Sequence, residues 1–276
     1  MKTKGKRLSP LYTGFCDLIH LVCYRIACKM ANMEIVPYKT ELISNDRPLI
    51  FVVNHSNVHD VPVVLSVIRK HVYVLAGDEV KNDINGLAFR FNGVVWVHRG
   101  DKQSARIAKE KVLDLLRRKK NILIFPEATW NLSPNLPMLP LHWGAVEFAQ
   151  ETNTPIVPIT LEYTKDNKCY YSIGKTIRVQ KTDNKAAVTS ILRDALATMR
   201  WNFWEEHSRK SYDEITDEDY LEYTKYRLEE YPKLDVEFER TTILKRHDSW
   251  EEAFAHLTSV RPTMQNAFLY NKRLRG

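Results

Sequence analysis

The sequence has few cysteines and none in a useful pattern. Cys16, Cys23, Cys28 and Cys169 form no C-x-x-C pair and no regular spacing across 276 residues. That excludes a disulfide framework and is most simply read as reduced thiols in a cytoplasmic protein. Nine glycines and twelve prolines are too few for a collagen-like or linker-dominated chain. No apolar run approaches the roughly 18 to 20 residues of a membrane-spanning helix. The basic start Met1 to Leu8 resembles the opening of a signal peptide, but Asp17, His20 and Arg25 interrupt the stretch after it and no small-residue cleavage site appears. Internal repeats and low-complexity linkers are absent. The 44% hydrophobic and 11% aromatic residues are enough for a folded core and argue against disorder.

The net charge of +7 is unevenly placed. Residues 1–39 hold seven Lys/Arg against two acids, and residues 101–120 hold eight against three. Residues 205–239 reverse this, with thirteen Asp/Glu against five Lys/Arg. The basic patches suit an anionic surface, and the expected one is a membrane, with the protein cytoplasmic and peripherally bound. No nucleic-acid partner is expected, because no recognition motif accompanies the charge and the acidic stretch would repel phosphate.

Hydrophobic patterning gives the fold class. Leu11, Phe15, Leu18, Val22 and Ile26 recur at helical spacing, so residues 11–30 read as an amphipathic helix, lying either in a membrane interface or on the protein's own core. Short apolar runs at 48–53, 71–76, 94–97, 121–125 and 156–161 read as buried strands, with further strand at 170–179. Helical stretches at 61–70, 102–119, 141–152 and 184–206 alternate with them. The expected fold is α/β: a largely parallel mixed sheet with helices on both faces, an N-terminal amphipathic segment (1–40), a core (41–204) and a C-terminal helical extension (205–276).

Chemistry-bearing residues gather where these strands end. Asn54, His55 and Asp60 come after the first run, and Pro62 suits the first turn of a following helix. Five residues apart, His55 and Asp60 would diverge on one regular helix. They meet if His55 sits in the turn and Asp60 at the helix start, where the carboxylate would hold the imidazole as a general base. Gly93, Trp96 and Arg99 mark a second strand, and Phe125, Pro126, Glu127, Thr129 and Trp130 a third. Pro155 and Pro158 bracket a fourth, which reads as an edge strand or cleft wall. A base, a cation and a carboxylate at one end of a sheet are the ingredients of an active site. His55 and His59, spaced i, i+4 with Asp60 or Glu127 nearby, also allow a metal-dependent hydrolase.

These four segments, in this order, resemble the glycerolipid acyltransferase family, the 1-acylglycerol-3-phosphate acyltransferases. N-H-x-x-x-x-D is matched by Asn54, His55 and Asp60, G-x-x-F-I-x-R by Gly93, Trp96, Val97 and Arg99, F-P-E-G-T-R by Phe125, Pro126, Glu127 and Thr129, and the apolar fourth motif by Pro155 to Ile159. The resemblance covers about residues 10–200. It implies that His55, oriented by Asp60, takes the proton of a lysophospholipid hydroxyl as that hydroxyl attacks the thioester of acyl-CoA or acyl carrier protein. It further implies that Arg99, Thr129 and Asn54 serve the acceptor and its phosphate, that Glu127 positions the acceptor or its binding loop, and that Gly93, Trp96, Phe125, Pro126, Trp130 and Pro158 line the pocket. A thioester is already activated, so no metal and no cofactor beyond this co-substrate is expected. Three positions depart from the pattern: Ala128 and Trp130 replace the family's glycine and arginine, and His142 stands where a lysine is common. Trp130 and His142 lower the positive charge expected for a bare phosphomonoester and widen the acceptor class to other amphiphilic alcohols or amines. A lipid-binding protein of the same fold without catalysis is the alternative.

Overall fold

Ile50-Phe51-Val52-Val53 is apolar at every position because both faces of this strand are covered. Ile50 and Val52 join one buried cluster, Phe51 and Val53 the other, as the alternation of side chains along a strand requires. The structure is a computed structural model and describes residues 7–31, 33–43, 48–78, 81–82, 84–98, 100–131, 136–164 and 166–207. Its elements run α1 (Pro10–Ala31), β1 (Glu34–Thr40), β2 (Ile50–Val53), α2 (Asp60–Ile68), β3 (Val72–Gly77), α3 (Ile84–Asn92), β4 (Val94–Val97), α4 (Lys102–Arg117), β5 (Asn121–Ile124), α5 (Gly144–Thr152), β6 (Ile156–Thr164), β7 (Lys168–Ile173) and α6 (Lys185–His207).

The sheet order is β1-β7-β6-β2-β5-β3-β4. Five strands run parallel, while β7 pairs antiparallel with β6 and carries β1 parallel to itself at the edge. Helices α4, α5 and α6 cover one face, contributing Val112, Leu116, Val146, Ala149, Leu192 and Leu196. Helix α2 covers the other with Val61, Val63, Val64, Leu65 and Ile68. This is the α/β architecture expected from the sequence. After β2 the chain crosses to the β3 side, and after β5 it crosses to the β6 side. The two connections leave adjacent strands β2 and β5 and run on opposite faces of the sheet, α2 on one and α5 on the other, the situation in which ligand crevices form in open α/β sheets.

Two elements were not legible. Strand β1 is an exposed edge broken by Pro37 and mixed with charge, so it lacks the apolar run of a buried strand. Helix α3 is short and carries Asn85 and Gly86. A third reading is corrected. Strand β6 is not an edge; it lies between β7 and β2. Pro158 is accommodated because it stands just past the end of β7, between the β6–β7 ladder and the Ile156–Ile177 bridge, where its carbonyl accepts from Gly174 N–H at 2.9 Å and its missing N–H removes no bond of the ladder itself.

Helix α1 faces the opposite way from a helix packed by its apolar stripe. Leu11, Phe15, Leu18, Val22 and Ile26 are exposed, Leu11 by 87% and Leu18 by 78%. Its polar side meets the protein. Asp17 accepts from His71 Nδ1 at 2.9 Å, Tyr73 Oη at 3.2 Å and Lys120 Nζ. Arg118 donates to Thr13 Oγ1 and to the Leu8 carbonyl. Burial alone would raise the Asp17 carboxyl, but the bonds from Lys120 and His71 hold it below its ordinary range. No described helix is long and apolar enough to cross a membrane. The expected extension beyond His207 lies outside the described residues.

Candidate active site

The loop leaving β2 is wound around one carboxylate. Asp60 is the first residue of α2 and fully buried. Its Oδ2 accepts from His55 Nδ1 at 2.7 Å, Ser56 N at 2.7 Å and Asn57 N at 3.0 Å, and its Oδ1 accepts from Tyr163 Oη at 2.7 Å. A helix start favours a negative charge, which adds to these four donors. His55 sits in the turn and Asp60 at the helix start, the arrangement their spacing predicts.

The imidazole is held at both nitrogens and on one face. Phe125 stacks on it with ring centroids 4.4 Å apart. Trp130 meets it edge-on and donates its indole Nε1–H to His55 Nε2 at 2.5 Å. An indole nitrogen is donor only, so Nε2 must carry the lone pair and Nδ1 the hydrogen, which goes to Asp60. This is the tautomer a general base needs.

A second buried carboxylate fixes the loop from behind. Glu127 Oε1 accepts from the His55 backbone N–H at 3.0 Å and Oε2 from Leu139 N–H at 2.8 Å. Burial pushes its carboxyl up to about 7, against the lowering effect of those two amides and of Arg200 and Arg193. The arginines lie in α6 and grip the loop that Glu127 also holds. Arg193 donates to the Leu139 and Met138 carbonyls at 3.1 and 2.6 Å, and Arg200 to the Pro137 carbonyl at 2.6 Å and to Glu162.

These contacts locate three of the expected site residues. Asn54, Glu127 and Thr129 are buried. Asn54 bridges to β6, its amide donating to the Leu161 carbonyl at 3.1 Å and its oxygen accepting from Leu161 N–H at 2.8 Å. Thr129 Oγ1 has no hydrogen-bond partner among the described residues. Arg99 lies outside the described residues. Gly93 is buried at φ +107°, and a Cβ there would meet the Tyr73 ring at 2.7 Å, so it serves close packing rather than a pocket wall. Pro126 and Pro158 are buried, whereas Trp96 is half-buried against Phe89 and His142 is exposed. Both ring nitrogens of His55 are engaged by protein groups, and among the described residues no cluster of three or more His, Cys, Asp or Glu is placed to hold a metal. Tyr163, Leu139, Arg193 and Arg200 were missed. Only the two arginines left a signal, as charges on the otherwise apolar stripe Val188, Leu192, Leu196 and Phe203 of α6.

Comparison with known proteins agrees with this geometry. Residues 34–162 match the Acyltransferase family. Over 143 residues the chain is 30% identical to the chloroplastic 1-acyl-sn-glycerol-3-phosphate acyltransferase BAT2 of Brassica napus, covering 49% of this chain and 41% of that protein. It is 25% identical over 189 residues to the 1-acyl-sn-glycerol-3-phosphate acyltransferase of Borreliella burgdorferi, covering 63% of this chain and 74% of that one. The chain thus spans less than half the length of the plant relative. In fold it is similar to the crystal structure of PlsC, the 1-acyl-sn-glycerophosphate acyltransferase of Thermotoga maritima, with a TM-score of 0.57 and 16% identity over 71% of this chain and 83% of that one. The likeness to the Acyltransferase family is thus carried by residues 34–162, the segment that holds His55, Asp60 and Glu127. The relatives that it resembles in sequence are named 1-acyl-sn-glycerol-3-phosphate acyltransferases.

Two outcomes test this description. Ala128 adopts φ 55°, a left-handed conformation that suits the glycine of the family motif. Ala128→Gly should stabilise the fold by about 1 kcal/mol in chemical denaturation; a destabilised variant would contradict the strain. The raised Glu127 carboxyl holds a proton in the folded chain that the unfolded chain releases. Stability is therefore lost as pH rises from about 4.5, the ordinary value, towards about 7. The melting temperature of the wild type should fall relative to Glu127→Gln across that interval, and a constant difference would rule the effect out.

Proposed function

We propose that the chain transfers a fatty acyl group from a thioester, acyl-CoA or acyl carrier protein, to the hydroxyl of 1-acylglycerol-3-phosphate or a related lysophospholipid. The observation that carries this is the His55–Asp60 pair, with Nε2 set as the proton acceptor. The acceptor hydroxyl loses its proton to Nε2 as its oxygen attacks the thioester carbonyl. The C–S bond then breaks and the departing thiolate takes the proton from the imidazolium. Asp60 stabilises the imidazolium between these steps, and general-base help of this kind is worth about 10² to 10⁴-fold. The names of the relatives support the acceptor class. Trp130, in the motif's arginine position, favours including amphiphilic alcohols and amines other than phosphomonoesters among the acceptors.

The reaction is proposed to run at an anionic membrane surface reached through α1. Exposed Leu87 and Phe91 of α3 extend the apolar face of the helix, and Phe15 and Phe91 meet with ring centroids 6.2 Å apart. Exposed Arg25 and Lys29 border the same face at its C-terminal end, with charge of the sign an anionic leaflet attracts. The basic stretch 101–120 contributes less than its composition suggests, since Lys109 pairs with Glu147 and Glu151, Lys120 with Asp17, and Arg118 with Asp114.

With labelled acyl donor and a lysolipid panel, His55→Gln should lower kcat by about 10² to 10⁴-fold with the melting curve retained, and Asp60→Asn should lower it less. A wild type that acylates no acceptor, or a fully active His55→Gln, overturns the proposal. Leu18→Ser combined with Val22→Ser, both on the bare face, should weaken binding to anionic vesicles by about tenfold or more without changing the fold. Undiminished vesicle binding would place the membrane surface elsewhere.

A further inference from the structure

The indole of Trp130 occupies the one atom that the proposed reaction needs free. Its Nε1–H points at His55 Nε2 from 2.5 Å, with the ring planes 75° apart, while Phe125 covers a face of the imidazole. The ring remains partly open, since the His55 side chain is 21% exposed. We infer that Trp130 is a removable cap on the general base: it stands in for the acceptor's O–H while no acceptor is bound, keeps water off Nε2, and yields its place only to a lipid that brings its own donor. The inference rests on the acyltransferase reading for its consequence, though the contact itself does not.

The chemistry of the substrate gives the cap its use. An activated thioester beside a competent base is open to attack by water as readily as by an alcohol. In that side reaction the water oxygen adds to the carbonyl, His55 takes a proton, the C–S bond breaks, and the thiolate receives that proton, leaving free fatty acid and thiol. A donor already seated on Nε2 prevents a water from being activated there. Exchange with the acceptor is near balance because one hydrogen bond to Nε2 is traded for another, so the cap need not slow transfer. An arginine at this position would have no such effect on a neutral imidazole unless it donated to the same nitrogen, and it would add a charge beside the forming imidazolium. The substitution of tryptophan thus also lets the cap sit next to the base without opposing its protonation by charge repulsion.

The test has one arm that does not depend on turnover. In the full-length protein labelled with ¹⁵N at tryptophan and histidine, wild type should show a scalar coupling across the hydrogen bond from the Trp130 indole nitrogen to His55 Nε2. Trp130→Phe should lose the coupling, and an added lysolipid acceptor should abolish it in the wild type. In the second arm, acyl donor is incubated with and without acceptor. Trp130→Ala should raise donor hydrolysis relative to acyl transfer by about tenfold or more, and Trp130→Phe, which keeps the bulk and loses the donor, should fall between. An absent coupling in wild type overturns the cap. A coupling accompanied by an unchanged ratio of hydrolysis to transfer overturns its role in excluding water. Wild type that shows the coupling but transfers no acyl group overturns the acyltransferase reading and leaves the capped imidazole standing.

Discussion

The arrangement of the site depends on the buried carboxylate of Asp60. Four donors converge on its two oxygens, and two of them are backbone amides of the loop it closes. A buried carboxylate without such partners would be strongly disfavoured, so the loop, the imidazole and Tyr163 of β6 are fixed together or not at all. The same contact that orients His55 also fastens the turn between β2 and α2. Orientation of the base and folding of its loop are here a single requirement.

Glu127 repeats the device from the neighbouring strand. Its carboxylate joins the His55 amide to the Leu139 amide, and the Asn131 amide donates back to the His55 carbonyl at 2.6 Å. The loops that leave β2 and β5 are thereby locked to one another. Preorganisation of this sort keeps a reacting group in place without reorganisation during the chemical step. It also gives the fully buried Glu127 a place in the site as a brace for the histidine's loop.

Much of the fold was legible because the central strands are buried on both faces and so appear as uninterrupted apolar runs, and because α4 shows clear helical periodicity with Asp101 as its cap. The edge strand β1 was not, since an edge needs no such run. Pro158 misled for a related reason: a proline argues against a central strand only where its N–H would have been used, and register decides that. Helix α1 showed its stripe plainly, but periodicity cannot say whether an apolar face turns inward or outward. The polar contacts of Asp17 and Thr13 settle the direction. At the site, His55 and Asp60 could be paired from spacing and the position of Pro62. The partners that arrive from distant strands and from α6 could not, because nothing local in the sequence announces Tyr163 or Leu139.

Helix α6 carries two arginines seven positions apart, two turns on one side, and both reach the segment that Glu127 also holds. Although it lies beyond the last strand, this helix is therefore a structural wall of the candidate site rather than an appendage. Attempts to carve out a smaller working unit must keep everything through Trp204, whose indole donates to the Glu162 carboxylate at 3.0 Å beside Arg200. Conversely, any ligand or neighbouring chain that tugs on the far end of that rod would be felt, through two guanidinium grips, at the peptide groups that hold the histidine's loop.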